Sequence, residues 1–208
     1  MTSGQPIGIM CALPQEQELL LAAIGDPAPR SYPGIEAREG WLDGYPVVIA
    51  AAGVGKVPAA ITATLMVERL GCRALVLSGV AGGLSTSVGI GDIVIGERLI
   101  DIDYGRLTPE GRIVYQPGVL PIPEERPDPG YRVPEALLER VRGRLAATGI
   151  EATLGTILTT DAFLASPRDR DQLADEWDGL CVEMDGSALC GVAERLGVPW
   201  LVVRALSD

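Results

Sequence analysis

The chain has 208 residues, of which 47% are hydrophobic, and a formal net charge of -11 at pH 7, which fits one globular domain with a sizeable core. The acidic excess argues against a partner bound through its phosphate backbone, so we expect no nucleic-acid partner. No apolar run reaches the roughly 18 uncharged residues that a membrane span needs, and the amino terminus shows no secretory signal. We therefore expect no membrane partner and a cytoplasmic protein.

Composition also limits the catalytic chemistry. Histidine is absent, which excludes Ser-His-Asp and Cys-His catalysis and removes the commonest metal ligand. The cysteines form no CxxC pair, so we expect buried, reduced thiols rather than a zinc or dithiol centre. They are Cys11, Cys72, Cys181 and Cys190. Acid-base chemistry must then fall to carboxylates.

The first predicted elements are a strand at residues 6–13 and a helix at residues 14–23 that begins with a proline. Glu16 lies in the first turn of this helix, at the carboxyl end of the strand. Open α/β sheets bind their ligands at that end of the strands. Alternatively, Glu16 only favours the helix amino terminus electrostatically.

A hairpin is predicted next, with strands at residues 34–41 and 45–52 joined by an Asp-Gly turn. The glycine-rich residues 53–56 then open a helix at residues 57–70. The Walker pattern is missing, so phosphate binding is weakly indicated there. Close approach of an uncharged ligand and tight packing stay equally open.

The strand predicted at residues 74–78 is buried and leads into residues 79–84, which contain three glycines. A turn of this kind either adopts positive φ or lets a group approach the backbone closely, so it is a candidate wall of a site. Another strand is predicted at residues 91–100. Residues 105–134 contain seven of the sixteen prolines, which predicts an irregular functional loop or interface segment.

Helices are predicted at residues 135–147, with Gly149 as the stop signal, and at residues 168–176. A strand at residues 152–158 lies between them and leads towards Phe163, the single phenylalanine of the chain. Phe163 is either a core residue or an aromatic ring at a pocket rim that stacks on a planar ligand.

Residues 181–208 contain a strand end, an acidic pair around Met184, an amphipathic helix and a second strand. Strands and helices alternate along the chain apart from the early hairpin. This predicts the α/β class, as a single three-layer domain over residues 1–208 with a mixed central β-sheet flanked by helices.

Several motifs occur together in the order and spacing of one family. They are IGIMCALPQE, GVGKVPAA, SGVAGGL followed by GDIVI, TTDAF, VEMDGSAL and VVRALSD. Over nearly its whole length the chain resembles the methylthioadenosine/S-adenosylhomocysteine nucleosidases of the nucleoside phosphorylase superfamily. The resemblance implies a nucleoside phosphorylase-like fold and hydrolysis of the bond between adenine and a 5'-thio-substituted ribose.

The same resemblance implies a small-molecule nucleoside substrate, a homodimer with residues 105–134 as a candidate contact, and neither a metal nor an organic cofactor. Glu16 matches the general base that deprotonates the attacking water. Asp208 matches the general acid that protonates the adenine ring nitrogen, and Arg204 and Ser207 match residues that support it. We expect apolar residues 200–203 to bury Asp208 and so favour its protonated form.

The remaining matches concern the substrate. The resemblance implies that Phe163 stacks on adenine and that the backbone of Leu164 reads the edge of the base. The turn beside the sugar matches Val80, Ala81 and Gly82, and the ribose-binding pair matches Met184 and Asp185.

Two features depart from the family pattern. The residue after Met184 is usually Glu, and Asp185 is one methylene shorter. Either the sugar lies deeper, or a water bridges, or Glu183 contributes more than usual. The family also continues beyond its catalytic aspartate into another helix, so we expect a further carboxyl-terminal segment after Asp208.

Hydrolysis is favoured over phosphorolysis at the first loop. Phosphate binding requires basic groups, yet no Lys or Arg precedes Arg30, and Glu16 would repel the anion. The alternatives are a nucleosidase or phosphorylase for another purine nucleoside and a non-catalytic nucleoside-binding module.

Overall fold

The computed structural model describes residues 4–122 and 128–208, in which strands and helices alternate. A 3-10 helix spans Pro14–Gln17. The strands are β1 (Ile7–Cys11), β2 (Ala28–Pro29), β3 (Ala37–Leu42), β4 (Tyr45–Ala51), β5 (Ala74–Gly83), β6 (Ile93–Asp101), β7 (Gly105–Thr108), β8 (Gly111–Val114), β9 (Tyr131–Arg132), β10 (Thr153–Thr159), β11 (Gly179–Glu183) and β12 (Trp200–Leu206). The α-helices are α1 (Glu18–Ala23), α2 (Lys56–Glu68), α3 (Glu135–Thr148), α4 (Pro167–Trp177) and α5 (Gly186–Leu196).

The chain divides into two compact units. The first comprises the described part of Met1–Gly79 together with Ala188–Val203, and the second comprises the described part of Val80–Ser187 together with Arg204–Asp208. Strands β5 and β12 each begin in the first unit and end in the second.

The first unit contains a mixed arrangement of strands. β1 pairs in parallel with β4 and with the start of β5, whereas β3 pairs antiparallel with β4 and β2 antiparallel with β3. Alternating apolar side chains of these strands form a buried cluster, which Ile24 after α1 completes. Its members are Ile9, Ile24, Val47 and Ile49.

The predicted hairpin is confirmed as β3 and β4. Its two-residue turn places Asp43 at φ 48° and Gly44 at φ 81°, the left-handed conformation that matches the twist of the flanking strands. The predicted first helix is instead divided into a 3-10 turn at Pro14–Gln17 and the short α1.

The second unit also has a mixed sheet. β10 pairs in parallel with both β6 and β11, while β9 pairs antiparallel with β6 and the end of β5 pairs antiparallel with β11. Its core lies between these strands and α4. The buried members are Leu84, Ile100, Val114, Leu158 and Val182.

Two predictions about loops are wrong. The glycine-rich turn expected after residue 78 is the continuation of β5 to Gly83, because Gly82 and Gly83 pair with Val182 and Cys181 of β11. The stretch 105–134, expected to be irregular, contains the β7-β8 hairpin and β9. Residues 123–127 of that stretch lie outside the described residues.

The α/β class with a mixed sheet is confirmed, since both units contain parallel and antiparallel strand pairs. The extent of 1–208 as one domain stays a prediction. Within residues 4–122 and 128–208, none of the helices combines the length and the apolar character needed to cross a lipid bilayer.

Candidate active site

Three parallel strands of the second unit end in polar residues at one edge of the sheet. The register aligns Thr159 of β10 with Asp101 of β6 and with Glu183 of β11. All three are buried, with exposed fractions of 0%, 8% and 5%. Buried polar groups require partners, and the carboxyl ends of parallel strands are where α/β proteins bind ligands.

Glu183 is the centre of the hydrogen-bond network at this edge. Its Oε1 accepts bonds from the Thr159 hydroxyl at 2.5 Å and from the Gly186 amide at 3.0 Å. Its Oε2 accepts bonds from the amides of Asp185 at 3.0 Å and Gly186 at 2.8 Å, and from the Arg204 guanidinium. Both oxygens are therefore engaged by the protein itself.

Arg204 lies in β12, two residues before its end, and is only 1% exposed. It forms ion pairs with Glu183 and with Asp185, the latter at 3.4 Å from Nη2 to Oδ2. The cluster combines two carboxylates with one guanidinium, so its formal charge is negative. The resemblance assigned Arg204 to the support of Asp208, whereas these contacts place it beside the residues that match the ribose-binding site.

Gly186 is required by the close approach of Glu183. A Cβ added at this position would lie 2.9 Å from Glu183 Oε1 and 2.5 Å from Leu99 Cδ2. Because glycine has no side chain, the Glu183 carboxylate can come close to the start of α5. Both of its oxygens then accept hydrogen bonds from the Gly186 amide. The backbone after Asp185 is thereby fixed.

Asp208 lies against the end of β5. The Ser207 amide donates to the Ala81 carbonyl at 3.1 Å, and the Gly83 amide donates to the Asp208 carbonyl at 3.0 Å. A Cβ at Gly82 would lie 3.4 Å from both carboxylate oxygens of Asp208. The Asp208 carboxylate therefore lies close to the β5 backbone at Gly82, as the close-approach alternative predicted.

The burial expected of the Asp208 side chain stays a prediction. Its Oδ1 accepts a hydrogen bond from the Ser207 hydroxyl at 3.0 Å, and that hydroxyl also lies 3.4 Å from the Ala81 carbonyl. Ser207 thus connects Asp208 to β5. Val80, one residue before Ala81, is 47% exposed.

The segment after β10 carries the predicted base-binding residues. Phe163 is 79% exposed, which excludes a core role for its ring. Leu164 packs against the core of the second unit. The segment begins beside the Glu183 network, since the Thr160 amide donates to the Glu183 carbonyl at 3.0 Å.

Glu16 belongs to the first unit, whereas the other predicted site residues belong to the second. Its Oε2 accepts hydrogen bonds from the amides of Ala12 and Leu13, each at 2.8 Å. These bonds cap the 3-10 helix and hold the carboxylate at the carboxyl end of β1. The favourable interaction with the helix amino terminus that the sequence offered as an alternative is therefore present as well.

Two residues that organise this region were not predicted from the sequence. Thr159 joins β10 to the Glu183 carboxylate and also accepts the Ser187 amide at 3.0 Å. Asp103, just after β6, accepts hydrogen bonds from residues 160 and 161. The acidic pair Asp101 and Asp103 directly after an apolar strand is the signal that could have identified this end of β6.

A surface groove of about 550 Å³ lies at the opposite ends of β6 and β10, between Ile93, Thr153 and the end of α3. None of the predicted site residues lines it. Within the described ranges, no group of three or more Cys, Asp or Glu side chains is arranged to hold a metal ion.

Comparison with known proteins identifies close relatives of the chain. Residues 6–208 match the model of the phosphorylase superfamily. The 5'-methylthioadenosine/S-adenosylhomocysteine nucleosidase of Mycobacterium bovis is 42% identical over 216 residues, which cover 97% of this chain and 85% of the relative. The corresponding nucleosidase of Shewanella baltica is 34% identical, over 97% of this chain and 83% of the relative.

A solved structure of the Helicobacter pylori 5'-methylthioadenosine/S-adenosylhomocysteine nucleosidase with butyl-thio-DADMe-Immucillin-A is similar to the present fold. Its TM-score is 0.86 at 26% identity, and the match covers 100% of this chain and 86% of that one. On these matches and the arrangement above, the chain belongs to the 5'-methylthioadenosine/S-adenosylhomocysteine nucleosidase family of the phosphorylase superfamily.

Proposed function

We propose that the protein hydrolyses the N-glycosidic bond of a 5'-substituted adenosine, such as methylthioadenosine or S-adenosylhomocysteine, and releases adenine. The observation that carries this proposal is the position of Asp208 over Gly82, whose β-partner Val182 directly precedes Glu183. The proposed proton donor, Asp208, and the acidic residues that match the ribose-binding site therefore lie at neighbouring strand ends of the second unit.

The chemistry requires carboxyl groups in two roles. Glycosidic cleavage passes through an oxocarbenium-like sugar, with an acid at the leaving group and a base that activates water on the opposite face. Asp208 would give its proton to the adenine ring nitrogen as the bond from that base to the sugar breaks. Glu16 would accept the proton of the water whose oxygen bonds to the sugar. The held position of the Glu16 carboxylate, with two amides on Oε2, supports this role.

Ribose binding is assigned to Met184 and Asp185. Asp185 is paired with Arg204, and its carboxylate is suited to accept hydrogen bonds from the sugar hydroxyls. The five protein bonds to Glu183 argue against a larger direct contribution of Glu183 to the sugar. A deeper sugar or a bridging water then compensates for the short Asp185 side chain.

Adenine is assigned to Phe163 and Leu164, with Val80, Ala81 and Gly82 beside the sugar. The exposed ring of Phe163 supports stacking on a planar base, because a ring that packs against no core is available to a ligand. The formal negative charge of the Glu183, Asp185 and Arg204 cluster supports a reaction in which positive charge develops on the sugar.

The test is adenine release from methylthioadenosine, S-adenosylhomocysteine and adenosine, each with and without added phosphate. We expect release from the 5'-thio substrates without phosphate. Acceleration by phosphate with formation of a ribose-1-phosphate product would show a phosphorylase. Binding without turnover of any substrate would show a non-catalytic nucleoside-binding module.

The homodimer and a role in methionine salvage belong to the same proposal and rest on the family resemblance, whereas the cytoplasmic location rests on the sequence expectation stated first. Sedimentation of the purified chain tests the homodimer. A monomer with full activity would contradict the expectation that residues 105–134 contact a partner near the substrate.

A further inference from the structure

The segment 160–164 carries the predicted base-binding residues, and its backbone has to be held in place for them to meet a ligand. It presents the ring of Phe163, which is 79% exposed, so the backbone of the segment largely decides where the ring lies. Ordering such a segment only when a ligand binds would cost conformational entropy at that moment. What fixes the backbone of residues 160–162 therefore decides how well the base-binding face is preformed.

Asp103 fixes this backbone from the end of the neighbouring strand. Its Oδ1 accepts a hydrogen bond from the Thr160 hydroxyl at 3.0 Å, and its Oδ2 accepts one from the Asp161 amide at 2.5 Å. Each carboxylate oxygen thus holds one of two consecutive residues. Hydrogen bonds to a charged acceptor are stronger than neutral ones.

Thr160 extends this network of hydrogen bonds towards the aromatic ring of Phe163. Its side-chain oxygen accepts the Ala162 amide at 3.1 Å while its hydroxyl donates to Asp103. Thr160 is only 5% exposed, so these bonds compete little with water. The chain of bonds from Asp103 ends one residue before Phe163.

Asp103 is itself held on its other side. The Asp101 carboxylate accepts the amides of Asp103 at 3.0 Å and of Tyr104 at 3.2 Å, which closes a turn directly after β6. Arg112 of β8 lies 3.2 Å from Asp103 Oδ1 and donates to the Ile102 carbonyl at the same distance. The Asp103 carboxylate is therefore anchored before any ligand arrives.

We propose that Asp103 is a positioning residue for recognition of the purine base. It holds residues 160–162 so that the Phe163 ring and the Leu164 backbone are preformed for adenine, and it does not touch the substrate. This inference rests on the proposed function for the identity of the base.

The expected consequence is a loss of base affinity rather than of chemistry. The hydrogen bonds that hold residues 160–162 stabilise the bound substrate and the transition state equally. Their loss therefore raises KM and leaves kcat nearly unchanged. In Asp103→Asn the amide keeps an acceptor for Thr160 but presents no second acceptor to Asp161. We expect KM for methylthioadenosine and the inhibition constant of adenine each to rise about tenfold.

The experiment compares Asp103→Asn with Thr160→Val, which keeps the shape of the side chain, and with the double variant. Asp171→Asn, an exposed change on α4, is the matched control and should behave as wild type. Because Asp103 and Thr160 act through one bond, the double variant should lose less affinity than the sum of the single losses. Melting temperatures of all variants identify any that are unfolded.

Adenine affinity is also measured by calorimetry, which does not depend on turnover. If the wild-type protein binds adenine but releases none from any nucleoside, the proposed function is overturned. The adenine affinities of the variants then still test the positioning role of Asp103. Unchanged KM and adenine affinity in folded Asp103→Asn and Thr160→Val, or a fall in kcat alone, would overturn the positioning role.

Discussion

At the scale of single residues, the active-site region depends on carboxylates held by fixed donors. Glu183 receives five hydrogen bonds from Thr159, Asp185, Gly186 and Arg204, and Asp208 receives one from Ser207. The motif resemblance selected most of these residues. It did not reveal that both oxygens of the Glu183 carboxylate already accept hydrogen bonds from the protein, because the donors come from three separate strand ends.

Asp208→Asn should abolish turnover while leaving substrate binding largely intact. The amide has nearly the shape of the carboxyl group but cannot deliver a proton to the leaving base, and loss of a general acid costs about 10²- to 10⁴-fold in rate. Single-turnover adenine release together with calorimetric binding of methylthioadenosine provides the measurement. Undiminished turnover would contradict the assignment, and Asp175→Asn on the exposed face of α4 is the control.

Arg204→Met should destabilise the protein strongly. The change leaves the carboxylates of Glu183 and Asp185 buried without their guanidinium, and removal of one partner from a buried ion pair costs about 3–5 kcal/mol. Urea unfolding of the two proteins measures the difference. Arg142→Met is the comparison, since its ion pairs with Glu97 and Glu135 are exposed and their loss should hardly move the midpoint.

At the scale of elements, local signals predicted several boundaries well. The Asp-Gly turn between β3 and β4 has the left-handed φ values expected of it, and Gly149 ends α3 at φ 68°. In contrast, the extension of β5 to Gly83 depends on pairing with β11, which is about a hundred residues away. The local sequence of a glycine-rich segment does not indicate a pairing strand so far along the chain.

Gly143→Ala should stabilise α3. Gly143 lies in the exposed middle of the helix, and an added Cβ would meet no atom within 4 Å. Replacing glycine by alanine in a helix interior contributes about 1 kcal/mol. The midpoint of urea unfolding should therefore rise. Gly186→Ala makes the opposite comparison, because its Cβ would collide with Glu183 and Leu99 and the midpoint should fall.

At the scale of the whole molecule, the prediction of buried thiols agrees with the structure, in which all four cysteines are buried and belong to no disulfide of the described residues. Burial raises the pKa of Cys72 to about 11, against a smaller opposing effect of Arg30. Burial, together with the nearby Glu183, raises the pKa of Cys181 to about 12. Both thiols are thus poor nucleophiles at neutral pH.

The native protein should resist alkylation by iodoacetamide at pH 8, and all four thiols should react in urea. Because the folded pKa values lie above that of an unfolded thiol, near 9, folding favours the protonated thiols. Their contribution to stability is complete below about pH 9 and is lost as the pH rises towards 12. Unfolding midpoints measured between pH 7 and 10 should fall at the alkaline end, and less so in Cys72→Ala than in wild type. Rapid modification of the native thiols would contradict their burial.

The sequence by itself determined the α/β class, the hairpin, the exclusion of histidine from catalysis and the family. These follow from composition, from periodicity over a few residues and from motifs, all of which are local. Only the tertiary structure decided that Phe163 lies outside the core and that Asp103 holds Thr160 across 57 residues. Residues 181–208 show the division: their motifs identified Glu183 and Asp208, but long-range strand pairing decided which atoms contact them.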